Sequence, residues 1–261
     1  MTGPDSVART YGRRWSTGAA TRAEHFALMT APAWESVADA TGIGDGTAVL
    51  DVCCGSGEFL ALAGRRGARP AGIDAAEGMV ALARQVEDAD VRIGSLEALP
   101  WPDATFDVVT GFNGFQFAPD MGAALAEAAR VVRGGGQVAV CNWGGRGPQE
   151  LMAVTEAPRS LGEDTTLVPR LPIGEPGVVE ALLTAAGITP TVSGDVAVPW
   201  APPDEATLLR GLMSAGSVVP TIEQIGADAV RTAILDAAAP HRAADGSYLF
   251  VSTFRWVVGR R

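Results

Sequence analysis

Val49-Leu50-Asp51-Val52-Cys53-Cys54-Gly55-Ser56-Gly57-Glu58-Phe59 is the stretch on which the reading of this chain turns. Ala48–Val52 is a short apolar run, read as a buried strand, and Glu58–Arg66 carries helical periodicity. Between them lies a glycine-bearing turn. At such a junction backbone N–H groups point outward and a ligand can approach the chain closely. Two glycines alone do not separate one nucleotide binder from another.

Three further features narrow the choice. Asp51 stands at the end of the strand, just before the turn, where a carboxylate repels a pyrophosphate and suits a ligand with an ammonium and a sulfonium. Leu60 occupies the place where the dinucleotide pattern G-x-G-x-x-G needs its third glycine. Asp74 closes the next strand, where an acid can accept both hydroxyls of a ribose. Together they favour S-adenosylmethionine over NAD. Asp51 as a helix cap and Asp74 as an ordinary turn residue are the plainer alternatives.

Outward from this core the chain alternates strand and helix. Strands are expected at Pro70–Asp74, Asp90–Gly94, Phe106–Gly111 and Gln137–Trp143, and helices at Gly78–Gln85 and Met121–Arg133. The glycines 134–136 are read as the stop of the last helix. Residues 20–40 read as a helix bent at Pro32. Beyond Trp143 the stretch 144–176 is rich in Gly and Pro and resists assignment. Then come a helix (176–187), an alternating strand (190–200), helices at 203–214 and 221–238, and a long strand (247–258). Continuous apolar strands alternating with helices indicate an α/β fold with a mostly parallel sheet covered on both faces.

The segments resemble a family in four ordered blocks covering about residues 45–143. VLDVCCGSGEF resembles the first motif of class I S-adenosylmethionine-dependent methyltransferases. AGIDAAEGMVALAR resembles their next strand, with its acid and a downstream methionine. IGSLEALPWPDATFDVV and EAARVVRGGGQVAVCNW are similar to the later strands of the ubiquinone/menaquinone-biosynthesis-like (methyltransferase type 11) branch. The resemblance implies a Rossmann-like, seven-stranded, mostly parallel sheet with helices on both faces and the last strand antiparallel, plus helical cap elements. It implies one domain over 1–261: a helical cap (1–43), a cofactor-binding core (45–143), and substrate-side insertions with sheet completion (144–261).

Carried over to this chain, the resemblance gives S-adenosylmethionine as cofactor and S-adenosylhomocysteine as product. Gly55 and Gly57 would pass beneath the methionine portion, Asp51 would hold its ammonium, and Asp74 with Ala75 the ribose. Met79 would pack on the adenine, Ser95 and Leu96 would face its edge, and Phe112 and Asn113 would close the methionine side. Tyr11 and Trp15 belong to a segment that folds over the cofactor in similar enzymes. Two positions depart from the pattern. Cys53 replaces the usual first glycine, and Ser95 replaces an aspartate whose bond a hydroxyl makes more weakly.

For the substrate, Phe115, Phe117 and Trp143 follow the fourth and fifth strands, at the sheet end where open α/β folds bind ligands. With Phe26, Leu171, Met213 and Phe250 they suggest a moderately hydrophobic small molecule; core packing is the alternative for each. His25 and His241, the two histidines, are the candidate general bases. The expected reaction is methyl transfer to O, N or C. A cofactor-binding protein of the same fold that does not methylate, such as a cyclase, is the rival. An NAD-dependent oxidoreductase is disfavoured by Asp51 and Leu60, and the chain has no lysine for a Tyr-x-x-x-Lys pair.

Composition bounds the rest. A net charge of −10 without an Arg stripe makes nucleic acid and anionic membrane poor partners. No run reaches the roughly 18 apolar residues that span a bilayer. The N-terminal residues have no signal-peptide core, so a cytoplasmic monomer or homodimer is expected. Cys53, Cys54 and Cys141 fit no metal or redox spacing and read as small buried thiols; no metal is expected.

Overall fold

All five residues of β1 (Ala48–Val52) are buried, and the strand runs parallel to β2 (Arg69–Asp74) on one side and β4 (Phe106–Phe112) on the other. The structure is a computed structural model in which residues 4–163 and 165–261 are described; residues 1–3 of the expected cap lie outside them. β3 (Asp90–Ile93), β5 (Val132–Trp143), β6 (Thr189–Trp200) and β7 (Phe250–Arg260) complete a seven-stranded sheet in the order β3-β2-β1-β4-β5-β7-β6. Strands β1 to β5 are parallel, and β7 is antiparallel to both β5 and β6.

The alternation of a strand separates two cores. Leu50, Val52 and Val109 face a cluster with Leu125 and Ala128 of α6 (Met121–Val131) and Leu183 of α8 (Val178–Ala185). Val49 and Val108 face the other way, onto Trp34 and Ala38 of α3 (Ala31–Thr41) and Phe59 and Leu62 of α4 (Glu58–Arg65). Asp51 shares that second face with Val49, one residue before the turn. Further along this face β5 and β7 carry a helical layer: α7 (Glu150–Arg159), α9 (Glu205–Met213), α10 (Val219–Ile225) and α11 (Ala227–Ala238). α5 (Glu77–Ala83) follows β2.

Two boundaries differ from expectation. The N-terminal region is α1 (Pro4–Thr17), α2 (Ala19–His25), a 3₁₀ turn (Ala27–Thr30) and α3, so the break precedes Pro32. Pro32 sits in the first turn of α3, where its missing N–H has no helical partner to lose. The glycines 134–136 do not end α6, which stops at Val131; they lie inside β5. There the ladder to β4 shifts between Phe106 and Val108, and Gly135, at φ 79, donates its N–H to the Arg261 carbonyl. A bulge of this kind uses glycine as a stop would, so residue type alone does not separate the two.

Candidate functional site

The turn between β1 and α4 takes three left-handed residues, Cys53 (φ 56), Gly55 (φ 56) and Gly57 (φ 93). A Cβ on Gly55 would meet nothing within 4 Å, so the open space above it borders the cavity. Gly57 has a different job: a Cβ there would lie 2.9 Å from the Ala83 Cα, so it lets α4 pack against α5 and does not border the cavity. Cys53 pays a steric cost that glycine would not.

Asp74 ties this turn to the end of β2. Its Oδ2 accepts the Gly55 N–H at 3.0 Å and its Oδ1 accepts the Ala76 N–H at 2.8 Å. Burial pushes its carboxyl above the ordinary aspartate range, opposed by those backbone N–H groups. Asp51, 3% exposed, accepts the Thr110 hydroxyl at 2.7 Å. Burial raises its pKa to about 8, with a further push from Asp74 and Glu58. Two acids that feel each other's charge out of bulk water favour a positively charged partner.

Both acids border one cavity of about 750 Å³ over the carboxyl ends of the strands. Cys53, Ala75 and Met79 border it beside them, as do Ser95 and Leu96 after β3, Phe112 and Asn113 after β4, and Trp15 of α1. Asn113, left-handed at φ 53, uses its Oδ1 to accept the Trp143 N–H at 3.1 Å, which joins the ends of β4 and β5. Phe117, Trp143, Phe26 and Leu171 form apolar walls. Tyr11 and Trp15 meet Phe117 edge-on, with ring centroids at 5.1 and 5.8 Å.

Other candidates lie elsewhere. Phe115 is 1% exposed in the core, under Gly111. Phe250 is fully buried between the rings of Trp200 and Tyr248, and Met213 packs in the same cluster. None of the three borders the cavity. The histidines do not border it either: His25 ends α2 with its Nε2 near Glu24 (3.6 Å), and His241 lies near Glu150 (3.7 Å) against Phe250. Each sits at a helix end, outside the cavity lining, so the structure does not bring either to the site as a general base.

The sequence reading missed several polar residues on the cavity. Arg22 lies 5.0 Å from the Trp15 ring and 4.4 Å from the Phe26 ring, and burial lowers its pKa to about 10. Trp15, Arg22 and Phe26, spaced by seven and four residues, share one side of the α1–α2 segment. Asn142, Gln149 and Gln116 also border the cavity. Asn142 had a signal, as the single polar residue in the apolar end of β5, Val138–Trp143.

Cys53, Cys54 and Cys141 are free thiols, and burial raises the pKa of each, so none is a thiolate nucleophile at neutral pH. Among the described residues no cluster of His, Cys, Asp or Glu is arranged to hold a metal, and no helix is long and apolar enough to cross a membrane.

Residues 50–140 match a family model described as a methyltransferase domain. An uncharacterised protein of Mycobacterium tuberculosis is 32% identical over 187 residues, 68% of this chain and 66% of that protein. Demethylmenaquinone methyltransferase of Bacillus licheniformis is 42% identical over 103 residues, 37% of this chain and 44% of that enzyme. The chain thus spans just under two thirds of the first relative's length and under half of the second's. The solved [4+2]-cyclase SpnF shares the fold, with a TM-score of 0.57 at 20% identity over 88% of this chain and 79% of that one. The four motif blocks, the acids at the ends of β1 and β2 and the strand order agree with these similarities: residues 50–140 match a methyltransferase domain, and over that stretch the chain is similar to methyltransferases such as demethylmenaquinone methyltransferase.

Proposed function

We propose that this chain transfers a methyl group from S-adenosylmethionine to an O, N or C nucleophile of a small, fairly apolar molecule, by in-line displacement, in a reducing cytoplasm. The observation that carries the reading is a single cavity with buried acids at one end and aromatic walls at the other. The open space above Gly55 and the cation-seeking pair Asp51 and Asp74 fit the cofactor.

When bound, the cofactor supplies an electrophilic methyl on a sulfonium; the chain supplies alignment and a dry site. Asp51 would hold the ammonium and Arg22 the carboxylate of the methionine portion. Asp74 would accept the ribose hydroxyls with the lone pairs left free by Gly55 and Ala76. Met79 and Leu96 would enclose the adenine, with Ser95 at its edge. Phe112, Asn113 and Trp15 would close the methionine side, and Phe117, Trp143, Phe26 and Leu171 would exclude water around the acceptor.

The test is incubation with methyl-labelled S-adenosylmethionine and panels of small phenols, enols and amines, beside RNA and protein. Release of S-adenosylhomocysteine with a labelled small product is expected. Label in RNA or protein alone would overturn the substrate class. Conversion of a small molecule without S-adenosylhomocysteine release would indicate a non-methylating catalyst of the same fold.

A further inference from the structure

The cavity's second polar end lies away from the acids. Asn142, in β5, is 2% exposed and borders the cavity, yet neither its Nδ2 nor its Oδ1 has a hydrogen-bond partner in the protein. Buried amides are rarely left unpaired, because each lost bond to water has no replacement. Two other carboxamide oxygens on the cavity share this condition. Gln149 donates through Nε2 to the Thr253 carbonyl (3.0 Å) but leaves Oε1 unused, and the Gln116 Oε1 is likewise unpaired.

The sheet sets where this end lies. Asp51 is level with Thr110 on β4, and Thr110 with Ala139 on β5. Asn142 is three residues further along a strand two places from β1, about 10 Å across the sheet at the usual strand spacing. The loop 173–175 packs on the chain just after β5: Gly145 donates its N–H to the Gly174 carbonyl at 2.9 Å, and a Cβ on Gly174 would lie 2.6 Å from the Trp143 carbonyl oxygen. The charge facing Asn142 across the ladder is Arg255, already held by Glu180 (2.6 Å) and Asp195 (3.3 Å). The Arg255 Nε–H has no partner among the described residues, and Glu175 borders the cavity, so this end offers neutral amide donors and acceptors beside those two charged side chains.

Building on the methyl-transfer reading, we propose that Asn142 recognises the acceptor molecule through a paired carbonyl and N–H or O–H, as in a lactam or a hydroxy-carbonyl ring. A primary amide presents one donor and one acceptor in a plane and matches such a pair with two parallel bonds. The apolar body of the ring would lie against Trp143 and Phe117, and Gln149 or Gln116 would take a further donor. The pair would be recognised here, while the acceptor atom is turned toward the cofactor end.

The probe is 2-quinolone, compared with 1-methyl-2-quinolone, which keeps the carbonyl and loses the donor. Each is titrated into the S-adenosylhomocysteine-loaded protein, wild type and Asn142→Leu. The proposal expects 2-quinolone to bind at least tenfold tighter than its N-methyl form, and this preference to vanish in N142L. It expects N142L to keep its affinity for S-adenosylhomocysteine and to melt at the same or a higher temperature, since an amide with no protein partner is replaced by an apolar group of similar size. Equal binding of the two probes, no binding of either to the loaded protein, or a preference that survives in N142L overturns the proposal and leaves the methyl-transfer reading standing. Failure to bind S-adenosylhomocysteine at all overturns both. Should N142L not fold, Asn142→Val carries the same test; loss of folding in both variants would make the amide structural and overturn the proposal.

Discussion

A Cβ built on Gly114 would lie 2.8 Å from the Cβ of Cys53. The turn after β1 tolerates a cysteine in a left-handed conformation where similar enzymes have glycine, and the loop after β4 supplies the missing space. The two positions act as a pair. Gly114→Ala is expected to destabilise the protein by about 1–3 kcal/mol, the usual range for overpacking. Cys53→Gly alone should change stability by less than about 1 kcal/mol, since relieved strain and added chain entropy offset one another. In the double variant part of the loss should return; the Val52 carbonyl, 2.9 Å from the same Cβ, limits the rescue. Urea unfolding of the four proteins measures the coupling. Strict additivity would show that the two positions are independent.

The raised pKa of Asp51, about 8, has a sign that can be followed. Its carboxyl is harder to ionise in the folded chain than in the unfolded one. The penalty is therefore absent below the ordinary aspartate pKa, grows as pH rises toward 8, and is complete above it. Asp51→Asn keeps an acceptor for Thr110 and should be more stable than wild type at pH 8, by at least the roughly 1.4 kcal/mol of one pKa unit. The difference should shrink toward pH 5. Affinity for the cationic end of S-adenosylhomocysteine should move oppositely in the wild type, rising from pH 6.5 to 8.5, with proton release at pH 7. Calorimetry in buffers of different ionisation heat checks this; a flat pH profile would remove Asp51 from the ammonium site.

The N-terminal helix is docked on the loop between β2 and α5 by contacts that leave no space. A Cβ on Gly12 would strike the Ala75 carbonyl oxygen, and the Ser16 hydroxyl accepts the Gly78 N–H at 3.1 Å at the start of α5. At the far edge of the cavity, Leu167 donates its N–H to the Tyr11 hydroxyl (3.1 Å) and Arg14 donates to the Thr165 carbonyl (3.0 Å). Gly12→Ala should lift α1 from Ala75 and weaken S-adenosylhomocysteine binding about tenfold, roughly 1.4 kcal/mol. The sheet core should melt almost as before, because α1 contributes little to it. Unchanged affinity would mean that α1 is a bystander.

The cofactor half was readable because strand periodicity and turn chemistry are local. Ala48–Val52 needed only its neighbours to be assigned, and Asp51 and Asp74 are marked by where their strands end. The substrate half depends on long-range packing. Phe250 and Met213 have the same residue character as Phe117 and Trp143, yet Phe250 is buried in β7 and Met213 packs half-buried on the same cluster, while the others border the cavity. The glycines 134–136 misled because helix stops and strand bulges use the same conformational freedom. Arg22 was hidden because its place on the cavity depends on how α2 packs against α5 and α9.

Titration of the purified chain with S-adenosylhomocysteine and, separately, with NADH, beside Asp74→Ala, tests the central claim most directly. Asp74 accepts from Gly55 and Ala76 and also borders the cavity, so its loss should both loosen the glycine turn and remove the ribose acceptor. The account predicts micromolar binding of S-adenosylhomocysteine by the wild type, at least tenfold weaker in the variant, and no binding of NADH. Binding of NADH, or of neither ligand, would contradict the assignment of the glycine turn and everything built on it.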